Sequence, residues 1–333
     1  MRRAILIYNP LAGPANLAGS MNLVADFWQA QGWDIVIKPT EAAGHATALA
    51  RAAAAAEIDM VLAAGGDGTL GEVTNGLAHS PTIMAPLPAG TANSFAKELL
   101  MPRPGVFNRQ GLLDAVDALA AGRVQAMDLG YTPGVKGNGR YWLLWAGVGA
   151  DGYLVDQVEP RPKWSKRLGT VGYMLQGLFI LPTIPSFQAT VTVDDQEYTG
   201  EYLLILCSNA RRYVGGMVEL SAEARLDDGL IEVWLLPAGS TARLAQYAVQ
   251  AKSGRLKANA DVTKVTGSQV TIRTMPHMPC QTDGDKSGDT PLHIQVRPRA
   301  LNLLVPSTAP ADLFSLPGVP LAEWKYGVVM REA

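Results

Sequence analysis

The pentad Gly65-Gly66-Asp67-Gly68-Thr69 follows the apolar run Met60 to Ala64 and leads into Leu70 to Leu77, whose spacing predicts a helix. Glycines at a strand-to-helix junction allow conformations and close approaches that side chains forbid. The first turn of the helix then turns free N–H groups and its positive dipole end toward the same point. The chemistry this suits is holding a phosphate chain, with Asp67 placed to meet a divalent cation and Thr69 to donate a hydroxyl. The lysine and spacing of a P-loop are absent. The plain alternative is a glycine turn in a parallel sheet that binds nothing.

Two more strand ends repeat the pattern. Pro86-Leu87-Pro88-Ala89-Gly90-Thr91-Ala92-Asn93 joins a predicted strand to a predicted helix, and Tyr8-Asn9-Pro10-Leu11-Ala12-Gly13 ends the first apolar run. In a parallel sheet all three lie at the carboxyl edge, where ligands bind. Three such ends point to a nucleotide.

Later in the chain, carboxylates sit beside glycine in Asp227-Asp228-Gly229 and in Thr282-Asp283-Gly284-Asp285. Each Asp-Gly pair reads as an ordinary hairpin turn. Two cysteines and four histidines without metal-site spacing argue against a disulfide framework or zinc site, and Cys207 and Cys280 read as buried thiols of a reducing cytosol.

The elements that must position these residues follow from periodicity. Ala4–Tyr8, Asp34–Lys38, Met60–Ala63 and Ile83–Leu87 read as strands. Leu17–Gln31, His45–Glu57, Leu70–Leu77 and Ala92–Leu100 read as helices. That alternation predicts βαβ units with a parallel sheet. From about Ala126 the chain turns to strands, at Tyr141–Val148, Ala189–Val193, Tyr202–Cys207, Leu230–Leu236, Val270–Arg273 and His293–Val296. Helical stretches at Leu168–Leu181 and Thr241–Lys252 interrupt them. The expectation is an α/β nucleotide domain over 1–125, a mostly antiparallel β domain over 126–305, and a tail over 306–333 that either stays apart or returns to the first domain.

Composition sets the outer limits. A chain of 333 residues favours about two domains, and 48% hydrophobic with 17% charged residues suits a packed core. The 34 glycines and 22 prolines show no period, which excludes collagen-like and low-complexity classes. A net charge of -2, from 28 basic and 30 acidic residues, leaves no footprint for nucleic acid. No apolar run reaches the ~20 residues of a spanning helix.

Taken as an ordered set, these segments resemble the diacylglycerol kinase catalytic-domain family, which also includes sphingosine and ceramide kinases and soluble bacterial lipid kinases. The resemblance runs from Asn9-Pro10 to about Pro298. It adds Ala146-Gly147-Val148-Gly149-Ala150-Asp151, Lys166-Arg167-Leu168-Gly169 with Tyr173, Ser208-Asn209, Gly215-Gly216 and Leu226-Asp227-Asp228-Gly229-Leu230. The pentad alone is shared with NAD kinases and phosphofructokinases.

The resemblance implies an N-terminal nucleotide domain of NAD kinase/phosphofructokinase type, a β-sandwich-like C-terminal domain, and phosphoryl transfer from ATP to a lipid hydroxyl in the cleft between them. ATP contacts would fall on Asn9, Thr40, Gly65, Gly66, Asp67, Gly68, Thr69, Leu70, Gly71, Glu72 and Thr91. Asp283 would be the general base, with Asp285 beside it. Mg²⁺ would sit on Asp228 and the backbone carbonyls of Arg225 and Leu230. The family commonly carries Asn at the position of Gly71, Asp at Ser94 and Glu at Asp285, so this chain departs from its pattern there. An NAD kinase, or a binding regulator of the same fold without turnover, are the alternatives.

A lipid kinase must reach an acceptor held in a bilayer. Arg161-Pro162-Lys163-Trp164-Ser165-Lys166-Arg167 gathers four cations and a tryptophan ahead of the apolar stretch Val171–Leu181. Such a segment attracts anionic headgroups and can enter the interface. It reads equally as a solvated loop before a core helix. The resulting expectation is a cytoplasmic protein with peripheral membrane contact; the sequence leaves the oligomeric state open, a homodimer included.

Overall fold

The structure is a computed structural model that describes residues 1–12, 17–104, 110–134, 139–158, 185–239 and 259–325, with single positions between 243 and 256. The chain forms two units. The first holds Met1–Leu129, Arg225–Asp228 and the chain from Pro298 on, and the second holds Gly130–Ala224 and Gly229–Arg297. The sequence reading set the divisions at 125/126 and 305/306, whereas the chain crosses at 129/130 and returns for good at 298.

In the first unit, β1 (Arg2–Tyr8), α1 (Leu17–Ala30), β2 (Trp33–Pro39), α2 (His45–Ala55), β3 (Met60–Gly65), α3 (Asp67–Leu77) and β4 (Ile83–Pro88) alternate as expected. Next come α4 (Ser94–Glu98), α5 (Gly111–Ala120) and β5 (Arg123–Thr132). The strands run β2-β1-β3-β4, all parallel. Every residue of β3 and β4 is buried, which marks central strands covered on both faces. α1 turns Leu17, Met21, Val24 and Trp28 inward, a helical stripe legible in the sequence. The alanine face of α2 packs so tightly on α3 that a Cβ on Gly76 would lie 2.5 Å from Ala50 Cβ and 2.6 Å from Thr47 O. Parallel pairing of Tyr8 with Ala64, and of Ala64 with Leu87, brings the ends of β1, β3 and β4 to one edge.

In the second unit, β6 (Arg140–Trp142), β7 (Trp145–Gly149), α6 (Ala150–Val158), β8 (Phe187–Val193) and β9 (Gln196–Ser208) come first. β10 (Arg212–Tyr213), β11 (Val218–Glu219), β12 (Ile231–Pro237), β13 (Thr263–Gly267), β14 (Gln269–Met275), β15 (Pro279–Thr282) and β16 (Asp285–Asp289) complete it. The pairings are antiparallel, in the order β16-β15-β7-β9-β8-β14, and β9 also pairs β12. Alternating residues of these strands, Val148, Cys207, Val233, Ile272 and Cys280 among them, fill the core. Burial pushes both thiols up, Cys280 to about 12, so they stay protonated and inert.

β17 (Leu292–Val305) pairs β14 over its first residues, and from Pro298 on it serves the first unit, beside β4 in parallel (Asn302 with Ile83). β18 (Val319–Pro320) pairs β5, and Arg2 donates to the carbonyls of Leu321, Ala322 and Trp324 at 2.9, 2.9 and 3.0 Å.

One predicted strand is interrupted. Tyr141–Val148 reads as continuous, but β6 stops at Trp142 and β7 starts at Trp145. The backbone of Leu143 and Leu144 is taken by two residues, Asp283 and Asn209, described below. The helix expected over Leu168–Leu181 and the basic segment Arg161–Arg167 lie outside the described residues, as does most of the helix expected over Thr241–Lys252.

Candidate functional site

β3 delivers Gly65 to the sheet edge, and α3 begins two residues later. Gly66 O accepts from the N–H groups of Thr69 and Leu70 at 3.0 and 3.2 Å, closing the first turn. The N–H groups of Gly66, Asp67 and Gly68 have no acceptor among the described residues. Three free donors at the positive end of a helix form an anion seat. Its floor is glycine for steric reasons. A Cβ on Gly65 would run into Thr69 Oγ1, and one on Gly90 would run into Gly66 Cα. Gly68 has nothing within 4 Å of a Cβ position, so the seat is open on that side.

Two side chains lock the neighbouring loop against this seat. Asn93, itself at φ 48°, exchanges hydrogen bonds with Gly90: its Oδ1 accepts from Gly90 N at 2.9 Å and its Nδ2 donates to Gly90 O at 2.8 Å. The Asp67 oxygens accept from Ser94 N and Phe95 N, both at 3.0 Å, at the start of α4. Asp67, expected beside a cation, is thus first a strut between the two loops, though each oxygen keeps lone pairs for another partner.

Asn9 N donates to Ala64 O at 3.1 Å and Thr40 N to Tyr8 O at 2.8 Å, so both expected contacts stand at the same strand edge as Gly65. Thr91 is exposed on the second loop. Leu70 and Gly71 are buried in α3. The Glu72 carboxylate accepts from Gly44 N at 2.9 Å and Ala46 N at 3.1 Å, and so caps α2. Sequence reading missed Lys97 of α4. Burial lowers its ammonium pKa, the charge of Arg103 adds to that, and the nearby Asp67 carboxylate opposes it. A cation near the seat fits a polyphosphate.

In the second unit, Asp283 and Gly284 turn the β15–β16 hairpin with φ 49° and 84°. Left-handed angles at both central residues make the two-residue turn that Asp-Gly favours. The side chain does more than a turn requires. Its Oδ2 accepts from Leu143 N at 2.7 Å and its Oδ1 from Leu144 N and Trp145 N at 2.9 and 3.2 Å. Asp283 N donates to Trp145 O at 2.9 Å. From the other side, Asn209 donates through its Nδ2 to Leu143 O at 3.2 Å and through its backbone N to Leu144 O at 2.8 Å.

Asp283 and Asn209 therefore satisfy all three N–H and all three C=O groups of Leu143–Trp145, and that is why the strand breaks there. The Asp283 carboxyl is pushed up to about 6, because desolvation outweighs the three N–H bonds and the nearby charge of Arg140. A carboxylate poised near neutrality and fixed by backbone donors is suited to general-base work. Asp285, expected beside it, pairs with Arg140 at 2.5 Å on the surface.

Of the adjacent acids at 227 and 228, Asp227 faces inward and accepts from Ser315 N at 2.6 Å and Leu316 N at 2.9 Å. Asp228 is exposed, as are Arg225 and Leu230.

Comparison with known proteins agrees over both units. Residues 3–132 match the diacylglycerol kinase catalytic domain, and residues 146–305 match the YegS C-terminal NAD kinase beta sandwich-like domain. Diacylglycerol kinase of Bacillus subtilis (strain 168) is 30% identical over 294 residues, covering 87% of this chain and 92% of that protein. Diacylglycerol kinase of Staphylococcus carnosus (strain TM300) is 29% identical over 293 residues, covering 87% and 90%. The crystal structure of a diacylglycerol kinase from Bacillus anthracis str. Sterne aligns with TM-score 0.73 at 26% identity, over 91% of this chain and 97% of that one. With the anion seat in the first matched domain, the seated carboxylate in the second, and relatives alike over nearly their whole length, the chain belongs to the diacylglycerol kinase family and is a kinase.

Proposed function

We propose that this kinase transfers the γ-phosphoryl group of ATP to the hydroxyl of a lipid of the diacylglycerol or sphingoid type. The observation that carries the reading is the seated carboxylate of Asp283, whose raised pKa and fixed position suit a group that accepts the acceptor's proton as the P–O bond forms. Phosphoryl transfer asks mainly for positioning and charge neutralisation. The free N–H groups of Gly66, Asp67 and Gly68 hold phosphate oxygens, and Asn9, Thr40, Thr69 and Thr91 border the same edge. Lys97 adds a positive charge close to Asp67. Asp285 acts at one remove, by holding Arg140, whose charge favours the ionised form of the base.

Mg²⁺ supplies neutralisation of the phosphate charge when bound. Asp228 with the carbonyls of Arg225 and Leu230 would hold a structural ion of the same kind. The enzyme works in the cytoplasm at a membrane surface, because its acceptor stays in the bilayer. Among the described residues no helix is long and apolar enough to cross a membrane.

The test is incubation of the full chain with labelled Mg-ATP and a total lipid extract, with NAD in a parallel reaction. Mass spectrometry of the products is expected to show a phosphorylated lipid. Label in NADP alone, or in no product, overturns the reading.

A further inference from the structure

Asp151 opens α6, and that helix end is pressed hard onto two strands. A Cβ on Gly147 would run into the Asp151 carboxylate, and a Cβ on Gly152 would run into Pro279 O. The glycines of Gly147-Val148-Gly149-Ala150-Asp151-Gly152 thus let the carboxylate lie across β7 toward β15. There it accepts from Gln281 Nε2, while Gln281 Oε1 accepts from Gly284 N at 2.7 Å. The amide has one workable orientation, since an N–H can only donate and a carboxylate accepts. Gln281 is fully buried. The second contact of the Asp151 carboxylate is a hydrogen bond from Tyr213, whose ring stacks edge-on against Trp145 at 5.3 Å and 88°.

Asp151 therefore reaches both sides of the Asp283 seat. Through Gln281 it holds Gly284, the residue after the carboxylate, and through Tyr213 it braces Trp145, one of the three residues that donate to it. Tyr213 is itself held by the β10–β11 hairpin, whose turn carries Val214, Gly215 and Gly216 at φ 51°, 63° and 75°. Gly215 and Gly216 adopt these angles freely, whereas for the β-branched Val214 the left-handed angle is costly and persists where its surroundings fix it. The pair Gly215-Gly216, one of the segments behind the family resemblance, gains a physical reason: it aims Tyr213.

We propose that Asp151 is a positioning residue for phosphoryl transfer, acting through Gln281 and Tyr213 to hold the Asp283 carboxylate in its backbone seat. The inference rests on Asp283 being the base. Asp151 touches no reacting atom in it, so its charge is dispensable where its hydrogen bonds are kept. Asparagine keeps them: its Oδ1 accepts from Gln281, and its Nδ2 donates to the Tyr213 hydroxyl.

The experiment compares Asp151→Ala, Asp151→Asn, Gln281→Leu and Asp283→Asn in the full chain. Two readouts are used: amide hydrogen exchange at Leu143, Leu144, Trp145 and Gly284, and turnover of dioleoylglycerol micelles with Mg-ATP. In Asp151→Ala and Gln281→Leu these amides exchange at least ~10-fold faster while β8 and β14 keep their protection, and kcat falls about 10- to 100-fold with the KM for ATP retained. Asp151→Asn restores most of both. Unchanged exchange in Gln281→Leu overturns the proposal, and so does an Asp151→Asn enzyme as slow as Asp151→Ala. If Gln281→Leu does not fold, the two Asp151 variants decide alone. Full turnover in Asp283→Asn removes the base assignment instead, and the exchange data then still report whether Asp151 and Gln281 hold the turn.

Discussion

Gly66 and Gly90 meet backbone to backbone: a Cβ on Gly90 would collide with Gly66 Cα and stand 2.8 Å from Gly66 N. The two loops at the ends of β3 and β4 are thereby one surface, stitched by Asp67 to Ser94 and Phe95 and by Asn93 to Gly90.

That contact separates two alanine substitutions. Gly90→Ala must force the loops apart, so it is expected to cost about 1–3 kcal/mol of stability and to abolish tight ATP binding. Gly68→Ala meets no atom and replaces glycine in the first turn of α3. It is expected to keep or gain stability, by up to ~1 kcal/mol, yet to weaken ATP binding, because its methyl group enters the phosphate approach. Thermal melts and calorimetric titration with ATP check both. Undiminished ATP affinity in Gly68→Ala counts against the anion seat.

Glu72 offers a second separation. Its carboxylate caps α2 through Gly44 and Ala46, so Glu72→Ala is expected to lower stability by about 0.5–2 kcal/mol. If capping is its main role, the ATP dissociation constant of the folded variant changes less than threefold, well under the ~10-fold that 1.4 kcal/mol represents. Calorimetry on the folded variant reads this directly, and a tenfold or larger loss assigns Glu72 to the nucleotide.

The Asp283 carboxyl, pushed up to about 6, predicts the pH dependence of turnover. A base works ionised, so kcat climbs as pH rises through about 6 and levels above it. Arg140 faces this carboxylate with a positive charge that lowers its pKa, and Asp285 is the partner of Arg140. Arg140→Gln removes the charge, so the acid limb moves to higher pH, by under about one unit because Arg140 is partly exposed and screened. Movement to lower pH contradicts the placement of Arg140 beside the base.

The first unit was largely legible because its signals are local. Apolar runs ending in glycine, and the Leu17, Met21, Val24, Trp28 stripe, identify strand ends and a helix face without any partner in view. Asp67 was recognised as a site residue, but its bonds to Ser94 and Phe95 depend on a loop 27 residues away, and no spacing reports that. The break at Leu143-Leu144 was illegible for the same reason. Tyr141–Val148 has strand composition throughout, and what interrupts it is Asp283, about 140 residues later, together with Asn209. Asp151 and Gln281 were hidden likewise; the sequence showed the glycines around Asp151, and the crowding at Gly147 and Gly152 gives them their purpose.

The central claim is that Asp283 accepts the proton of the lipid hydroxyl, and Asp283→Asn tests it most directly. Asparagine is of equal size, but it is a poor base and returns one acceptor oxygen to the three N–H groups of Leu143, Leu144 and Trp145. The measurement is single-turnover phosphorylation of lipid by the variant, with its ATP dissociation constant determined alongside. The predicted result is a loss of at least ~100-fold in rate with ATP affinity nearly intact. A rate within a few-fold of the unaltered enzyme contradicts it.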